Sequence, residues 1–404
     1  MMSLKVLHVI PAVAPRYGGP SRVIFEMCRS IQQKGTEVLV ATTDADGAGH
    51  LPVEAGAAIA YQRVPTIFFK RQLSEVFGYS FSLARWLNDN VKNFDVVHIH
   101  AVFSHPCLAA ARACRRSEVP YIVRPLGSLD PWSMRQKPHR KKLMWHMSVG
   151  RMLSEAAAVH YTTREEQRLA EASLGLTQGV VIPLGIEMGM TEDATSAESF
   201  RRNHPSLDSN PYILTLSRLH PKKNMELLLE AFLALVKKSE FETWRLVIAG
   251  DGETEYIASL KRLTQVLGGD GKVLFTGWLG GAQKAAALRE AALLALTSRQ
   301  ENFGLCVVEA LACGVPVVVS DRVNLATEIE NAGAGWVTTL EKTNLERVLA
   351  EALYDEGERR RRGLAGLDLV ERQFSWSKVA DELNLLYRSV VRKAPALEAQ
   401  YAVP

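Results

Sequence analysis

The amino-acid sequence predicts an α/β protein made of two Rossmann-like, doubly wound domains with parallel sheets. Short apolar runs rich in β-branched residues alternate with longer segments of helical period, which is typical of parallel strands covered by helices on both faces. The length of 404 residues suits two domains at about 100–200 residues each. The series of strands also restarts after a polar stretch, so the two domains follow one another in the chain.

Each domain has its own series of predicted strands. In the first half they are Lys5–Ile10, Glu37–Thr42, Val96–His100, Tyr121–Arg124 and Val159–Thr162. In the second half they are Tyr212–Ser217, Arg245–Ala249, Val273–Thr276, Leu293–Thr297, Pro316–Ser320 and Trp336–Thr338. Helices are predicted between most of them, among them Arg22–Lys34 and Asn224–Lys238, and a last one at Ser377–Val391. The polar, aperiodic stretch Thr191–Asn210 is predicted to be a linker, which gives domains of residues 1–185 and 186–376.

The composition excludes several classes of protein. Hydrophobic residues make up 47% and charged residues 23% of the chain, which excludes wholesale disorder and fibrous repeats. A net charge of +4 is too small to indicate a nucleic-acid partner. The five cysteines include no CxxC pair, so neither a disulfide framework nor a zinc site is expected, and a cytoplasmic, reducing compartment fits best.

Ligands of open parallel sheets bind beyond the carboxyl ends of the strands, so the loops from strand to helix are the candidate sites. The first such loop contains Gly18 and Gly19, whose backbone could approach a ligand closely and whose N–H groups could hold an anion. A simple tight turn is the alternative. The loop after Tyr212–Ser217 places Arg218 and Lys223 near the start of a helix, with Asn224 as its expected cap. Cations there are unfavourable without an anion between them, so a phosphate site is favoured over a solvated basic loop.

The loop after Leu293–Thr297 carries two acids. Glu301 precedes a helix that runs from about Gly304 to Gly314, and Glu309 lies inside that almost wholly apolar helix. The rise from residue 304 to residue 309 is roughly 7.5 Å at about 1.5 Å per residue. A nucleotide could therefore place its diphosphate at the helix start and its ribose on Glu309, with Glu301 facing the hydroxyls of a sugar. The alternatives are a surface acid for Glu301 and an internal salt bridge for Glu309.

Two smaller glycine loops follow the strands Arg245–Ala249 and Val273–Thr276. The first contains Gly250, but Glu255 stands where a dinucleotide fingerprint requires glycine, so NAD binding is disfavoured. The second, with Gly277 and Trp278, could contact the edge of a base through its backbone.

Together these loops resemble the family 4 glycosyltransferases of GT-B architecture, in which two Rossmann-like domains face each other across a cleft. The most specific part is the Glu-x7-Glu segment from Glu301 to Glu309, within Glu-Asn-Phe-Gly-(x4)-Glu-Ala-(x3)-Gly-Val-Pro-Val. The stretch Ser-Arg-Leu-(x3)-Lys-Asn, the turn Ala-Gly-Asp-Gly and the early Gly-Gly loop occur in the expected order. The resemblance covers nearly the whole chain.

The resemblance implies a donor site for a nucleotide sugar in the C-terminal domain, with Arg218 and Lys223 on the pyrophosphate, Glu301 on the sugar and Glu309 on the ribose. The implied donor-binding residues are Gly18, Gly19, Arg218, Lys223, Gly250, Gly277, Trp278, Glu301, Asn302, Phe303, Gly304, Leu305 and Glu309. Arg218, Lys223 and Glu301 are the implied catalytic residues. The resemblance further implies an N-terminal acceptor domain onto which Ser377–Val391 crosses back, reaction with retention of configuration, and no metal or other cofactor.

One motif departs from the family. Many relatives have a His-Gly pair that touches the donor sugar, and this chain has Leu126-Gly127 there. Asp130, His100 and His105 lie near strand ends and are possible substitutes. A buried core histidine is an equal interpretation of His100, and the start of a turn is the alternative for Asp130.

The expected function is transfer of a hexose from a nucleotide-diphosphate sugar, with UDP-glucose or a similar compound as the expected donor, to a hydroxyl of a glycan or lipid-linked sugar during polysaccharide or glycolipid synthesis. The alternatives are a sugar-nucleotide epimerase of the same architecture and a catalytically silent nucleotide-sugar-binding protein. The basic segment Arg135–Lys142 suits peripheral contact with the inner face of the cytoplasmic membrane, or is a solvated helix start. Asp44-Ala45-Asp46 matches a metal-binding DxD by chance and is interpreted as a loop.

Overall fold

The computed structural model of the protein describes residues 3–75, 77–187 and 200–393. Contacts within the chain divide it into two compact units. The first unit extends to Gly185 and also contains the residues from Trp376 onward, and the second extends from Ile186 to Ser375.

The first unit is built on an eight-stranded sheet with a short separate hairpin. Its strands are β1 (Lys5–Ala12), β2 (Glu37–Thr43), β3 (Ala45–Asp46), β4 (Gly49–His50), β5 (Ala58–Tyr61), β6 (Val64–Phe69), β7 (Val96–His100), β8 (Tyr121–Arg124), β9 (Ala158–Tyr161) and β10 (Gly179–Val181). The sheet has the order β10-β9-β8-β7-β1-β2-β6-β5, and β3 pairs with β4. Only β5 runs antiparallel to its neighbour within the sheet. The strand order reverses between β1 and β7, which is the position where doubly wound sheets bind ligands.

The helices of the first unit follow its strands in the alternation that the sequence predicts. They are α1 (Gly19–Gln33), α2 (Phe81–Asn90), α3 (His105–Arg116), α4 (Pro131–Met134), α5 (Pro138–Met144), α6 (Gly150–Ser154) and α7 (Arg164–Leu174). A π-helical turn at Trp145–Val149 makes α5 and α6 one continuous helical segment.

Five strands of this sheet confirm the sequence prediction. The other three, β5, β6 and β10, were not predicted. The Val64–Phe69 strand contains Pro65, a residue that argues against strand structure because it cannot donate to the ladder. The turn before it, Gln62 and Arg63, has positive φ at both positions without the Asn-Gly signal that marks such hairpins.

The second unit has a six-stranded sheet, parallel throughout. Its strands are β11 (Tyr212–Leu216), β12 (Arg245–Ala249), β13 (Val273–Gly277), β14 (Leu293–Leu296), β15 (Val317–Ser320) and β16 (Gly335–Thr338). All of them are predicted from the sequence to within a residue or so at each end. The order β13-β12-β11-β14-β15-β16 puts the switch point between β11 and β14.

The helices of the second unit are α8 (Phe200–Asn203), α9 (Met225–Leu235), α10 (Thr254–Val266), α11 (Gly281–Glu290), α12 (Leu305–Ala312), α13 (Ala326–Ala332), α14 (Lys342–Tyr354) and α15 (Glu356–Gln373). The stretch predicted as a linker lies outside the described residues as far as residue 199. Its remainder is not a free linker, because Phe200 and Leu207 are buried and the Phe200 N–H donates to Glu290 Oε1 at 2.9 Å.

The last described helix, α16 (Trp376–Lys393), packs on α1 and β7 of the first unit. Ser30 Oγ donates to the Trp376 carbonyl at 2.8 Å, and Thr36 Oγ1 donates to Asn384 Oδ1 at 2.8 Å. Tyr387, fully buried, reaches the interior of the unit. Within the part of the chain that the structure describes, none of the helices has both the length and the apolar character needed to cross a bilayer.

Candidate functional site

The loops after β11 and β14 are joined to each other at the switch point of the second unit. The Arg299 N–H donates to the Lys222 carbonyl at 2.8 Å, and its guanidinium donates to Asn224 Oδ1 at 2.9 Å. Thr297 Oγ1 lies 3.3 Å from the Asn224 carbonyl. Asn224 precedes α9 as expected, but its side chain makes no capping bond and instead accepts from Arg299, so the prediction of a side-chain cap is wrong. The two loops predicted to hold phosphate and sugar therefore form one surface.

Lys223 and Glu301 meet on this surface. The Lys223 ammonium contacts Glu301 Oε2, and the two side chains are only 18% and 17% exposed. The interpretation of Glu301 as a surface acid is therefore wrong. A lysine ammonium has three donors, so its contact with Glu301 leaves donors for the oxygens of a phosphate.

Arg218 is supported by the glycine turn after β12. A Cβ at Gly250 would lie 1.8 Å from the Ser217 carbonyl oxygen, and a Cβ at Gly252 would lie 2.1 Å from the Leu219 carbonyl oxygen. These glycines are therefore needed so that the two backbones can approach. The Arg218 guanidinium itself is exposed and forms no hydrogen bond or ion pair with any described residue. It is a cation available to an anionic ligand.

The start of α12 lies in the same group of loops. Gly304 has a φ of 76°, in the left-handed region that glycine adopts without strain, and α12 begins at Leu305. Phe303 is buried, with its ring edge-on to Phe374 at 5.8 Å between centroids. The first N–H groups of a helix have no intrahelical acceptor and carry partial positive charge. The start of α12 at Leu305, within the predicted segment 302–305, thus offers N–H donors on the surface that carries Lys223.

Glu309 forms an ion pair inside the unit. Its Oε2 lies 2.6 Å from Lys284 Nζ, with exposures of 2% and 12%. This is the internal salt bridge that the sequence leaves open as an alternative. Lys284 was not identified from the sequence as the partner of Glu309. The available signal is that Lys284 is the single lysine of the alanine-rich helix α11, as Glu309 is the single acid of α12.

The loop after β13 borders the same sheet edge. The Gly277 carbonyl accepts from the Gly250 N–H at 2.8 Å, and Gly277 has a φ of 72°. Trp278 is exposed. A contact of this loop with the edge of a base stays a prediction.

In the first unit, the predicted glycine loop follows β1 at the switch point of the sheet. Gly18 has a φ of 79° and precedes α1, which begins at Gly19. A Cβ at Gly18 would meet no atom within 4 Å, so the positive φ, rather than a lack of space, is the reason for glycine at this position. Leu126, at the position of the family histidine, has a φ of 57° and is followed by Gly127 at 71°.

The proposed substitutes for that histidine have structural contacts. Asp130 is buried and accepts from the Trp132 N–H at 2.7 Å, so it caps α4 and starts a turn. His105 is half-buried, and its Nδ1 accepts from the Ser80 N–H at 3.3 Å. His100 is fully buried. The core interpretation of His100 and the turn interpretation of Asp130 are the ones that the structure bears out.

His100 belongs to a buried network that sequence reasoning missed. His8 Nδ1 lies 3.1 Å from His100 Nε2, and His98 Nε2 lies 3.2 Å from His160 Nδ1. The Tyr387 hydroxyl of α16 is 2.9 Å from His98 Nδ1. The alternation Val-His-Ile-His in β7, next to His8 in β1, is the signal that points to it.

The histidines of this network are neutral. Burial, and then repulsion by the Arg124 guanidinium, lowers the pKa of His8 and His160 to about 3. Burial and the neighbouring histidines lower the pKa of His98 and His100 well below the usual value. Nitrogens of His8, His98 and His100 lie within 4.8 Å of one another, a spacing that a metal ion could bridge. This group has no carboxylate to balance a divalent ion, and Arg124 adds positive charge, so electrostatics disfavour a metal there.

The Asp44-Ala45-Asp46 segment also has a structural role. Asp44 is buried, and its Oδ1 accepts from the Arg71 N–H at 2.7 Å and lies 3.0 Å from His50 Nδ1. The last two residues of the segment form β3 rather than an irregular loop.

Both units match models of known protein families. Residues 18–185 match the glycosyl transferase 4-like domain, and residues 196–366 match the glycosyl transferases group 1. A phosphatidyl-myo-inositol mannosyltransferase of Mycobacterium leprae is 30% identical over 76% of this chain and 76% of its own. The chain belongs to the family 4 glycosyltransferases.

Further comparisons extend over the whole of this glycosyltransferase. A D-inositol 3-phosphate glycosyltransferase of Xylanimonas cellulosilytica is 26% identical over 94% of this chain and 93% of its own. Anabaena Alr3699/HepE, solved in complex with UDP and glucose, matches with a TM-score of 0.75 at 20% identity and covers 96% of this chain and 100% of its own. The solved neighbours are GT-B glycosyltransferases, and the predicted GT-B fold class is confirmed.

Proposed function

We propose that this family 4 glycosyltransferase transfers a hexose, with retention of configuration, from a nucleotide-diphosphate sugar to a hydroxyl of a glycan or lipid-linked sugar. The observation that carries the proposal is the junction of the loops after β11 and β14, where Lys223, Glu301 and the start of α12 lie together. UDP-glucose is the first candidate donor, since HepE was solved with UDP and glucose. A lipid-linked acceptor is supported by the relative named for phosphatidyl-myo-inositol.

In this proposal the diphosphate lies between Arg218, Lys223 and the first N–H groups of α12. Glu301 accepts from hydroxyls of the sugar, and Glu309 accepts from the ribose. The positive groups surround the point where negative charge develops as the diphosphate departs, and such fixed charges stabilise a transition state without reorganising. They take the place that a divalent metal has in other transferases.

The acceptor attacks on the face that the diphosphate leaves, and a departing phosphate oxygen takes its proton. This route requires no nucleophilic side chain of the protein. It agrees with the structural contacts of Asp130 and the burial of His100, which leave neither positioned as a nucleophile.

A silent nucleotide-sugar-binding protein is the second candidate, because Leu126 replaces the histidine that touches the sugar in relatives. An epimerase is the third. Incubation with UDP-glucose and candidate acceptors separates them as transfer, binding alone and isomerisation without an acceptor.

We expect transfer, preceded by thermal stabilisation with the donor because a ligand of the folded state stabilises by mass action. Product formation is measured by mass spectrometry with and without EDTA, and the Arg218→Ala variant should form product about 100-fold more slowly. Arg202→Ala, which removes an exposed arginine of α8, is the control. Activity that disappears in EDTA and returns with manganese would contradict the metal-free mechanism, and isomerised donor alone would contradict transfer.

We also propose that the Arg135–Lys142 segment contacts the inner face of the cytoplasmic membrane. Arg135, Lys137, Arg140 and Lys142 are exposed, whereas the Lys141 ammonium is held by the Ser133 carbonyl at 2.6 Å. Leu143 directly follows Lys142 and Met147 lies four residues further on, and the two side chains are 61% and 72% exposed. Exposed apolar residues bordered by basic ones suit an anionic bilayer.

We expect the protein to cosediment with phosphatidylcholine vesicles only when they contain phosphatidylglycerol. Replacing both Leu143 and Met147 by Gln should weaken that binding about tenfold, because apolar area no longer enters the interface. Leu364→Gln, at a residue of α15 that is 60% exposed, is the matched control. Equal binding of wild type and the double variant would exclude this surface as the membrane contact.

A further inference from the structure

The loop after β15, residues 321–325, runs alongside Glu301. The Glu301 N–H donates to the Arg322 carbonyl at 3.0 Å, and the Asn324 N–H donates to the Glu301 carbonyl at 3.0 Å. Because β15 is the parallel neighbour of β14, both loops leave the sheet at its carboxyl edge. Asn324 is therefore fixed through its backbone beside the residue proposed to face the donor sugar.

The side chain of Asn324 is buried without a partner. The residue is 6% exposed, and its Nδ2 has no hydrogen-bond acceptor among the described residues. Buried polar side-chain atoms nearly always have a partner, and a primary amide has two N–H groups to donate. A buried amide that finds no acceptor in the described part of the chain is suited to an acceptor that a ligand brings.

We propose that Asn324 is a specificity-determining residue that donates a hydrogen bond from Nδ2 to a hydroxyl of the donor sugar. The inference rests on the proposed function, because it requires a sugar at Glu301. The Glu301 carboxylate accepts from one hydroxyl while the Asn324 amide donates to another. The two side chains together select the positions of the hydroxyls on the hexose.

Loss of this bond should reduce turnover of the sugar donor without changing the affinity for the nucleotide. A site whose buried group pairs with a substrate hydroxyl discriminates strongly against an analogue that lacks it. We expect Asn324→Ala to lower kcat/KM for UDP-glucose at least about tenfold, with the Kd for UDP unchanged within about twofold.

The test compares UDP-glucose with analogues that lack the hydroxyl at C2, C3, C4 or C6. Wild type should lose at least about tenfold in kcat/KM with more than one analogue, and Asn324→Ala should treat one of these analogues and UDP-glucose alike. Asn324→Asp, which keeps the shape but replaces the donor by an acceptor, gives the same result if the alanine variant folds poorly. Asn331→Ala, at an exposed position of α13, is the matched control.

The same hydroxyl dependence in wild type and both Asn324 variants would overturn the inference. Wild type that binds UDP but shows no dependence on any of the four hydroxyls would also overturn it. Wild type that binds neither UDP nor UDP-glucose would overturn the proposed function together with the inference, so the UDP measurement tells the two failures apart.

Discussion

Glu309→Ala is expected to abolish detectable binding of UDP and UDP-glucose, while Asp44→Ala leaves that binding intact. The substitution removes the proposed acceptor for the ribose and leaves the buried Lys284 ammonium without its counter-charge. A loss of at least about 100-fold in affinity, or roughly 2.7 kcal/mol, is expected in isothermal titration calorimetry. Asp44 is a suitable control because its carboxylate contacts the Arg71 N–H and the His50 ring in the first unit.

A second variant is needed as a control for folding, because removing one partner of a buried ion pair costs roughly 3–5 kcal/mol of stability. Glu309→Met combined with Lys284→Met removes both charges and the carboxylate acceptor at similar volume, and replacing a buried ion pair by hydrophobic residues is often tolerated. A folded double variant that does not bind UDP supports the ribose contact. A folded double variant that binds UDP like wild type would show that Glu309 serves only the ion pair.

Acidification from pH 7 to pH 5 is expected to destabilise the first unit by at least about 4 kcal/mol. The unfolded chain protonates its histidines below about pH 6.5. Folded His8 and His160 remain neutral until about pH 3. The unfolded state therefore binds more protons, and stability is lost as pH falls through this window, by about 2 kcal/mol for each of the two residues. His98 and His100 act in the same direction.

Hydrogen exchange of the amides of β1 and β7 measures this loss in the unit concerned. The range from pH 7 to pH 5 lies above the ordinary pKa of carboxyl groups, so the loss measured in it is attributed to histidines. His160→Asn should reduce the pH dependence by about one proton, whereas His139→Asn, at an exposed position of α5, should leave it unchanged. The same free energy of opening at pH 7 and pH 5 would contradict the prediction.

The sequence predicts the parallel sheets well because their strands are continuous apolar runs. Leu293–Leu296 and Val317–Ser320 are buried throughout, so hydrophobicity alone identifies them. The β5–β6 hairpin was missed because Pro65 and the turn at Gln62 and Arg63 carry the wrong local signals. There the tertiary pairing overrides residue preference.

The sequence predicts that the loops after β11 and β14 come together but not how their side chains pair. Arg218, Lys223 and Glu301 are recognisable from their spacing within motifs. The partners Lys284 and Asn324 are not, because they come from separate segments that only the folded sheet brings beside Glu309 and Glu301. The same reason hides the contact of Tyr387 with His98, which lie 289 positions apart.

That contact has a consequence for how the protein is made. When the ribosome has added Ser375, every strand of both sheets has been synthesised, yet the first unit still lacks the helix that covers His98 and bonds to Ser30 and Thr36. The second unit contains all of its own residues by then. During translation, the half of the protein that is made first is thus the half that is completed last.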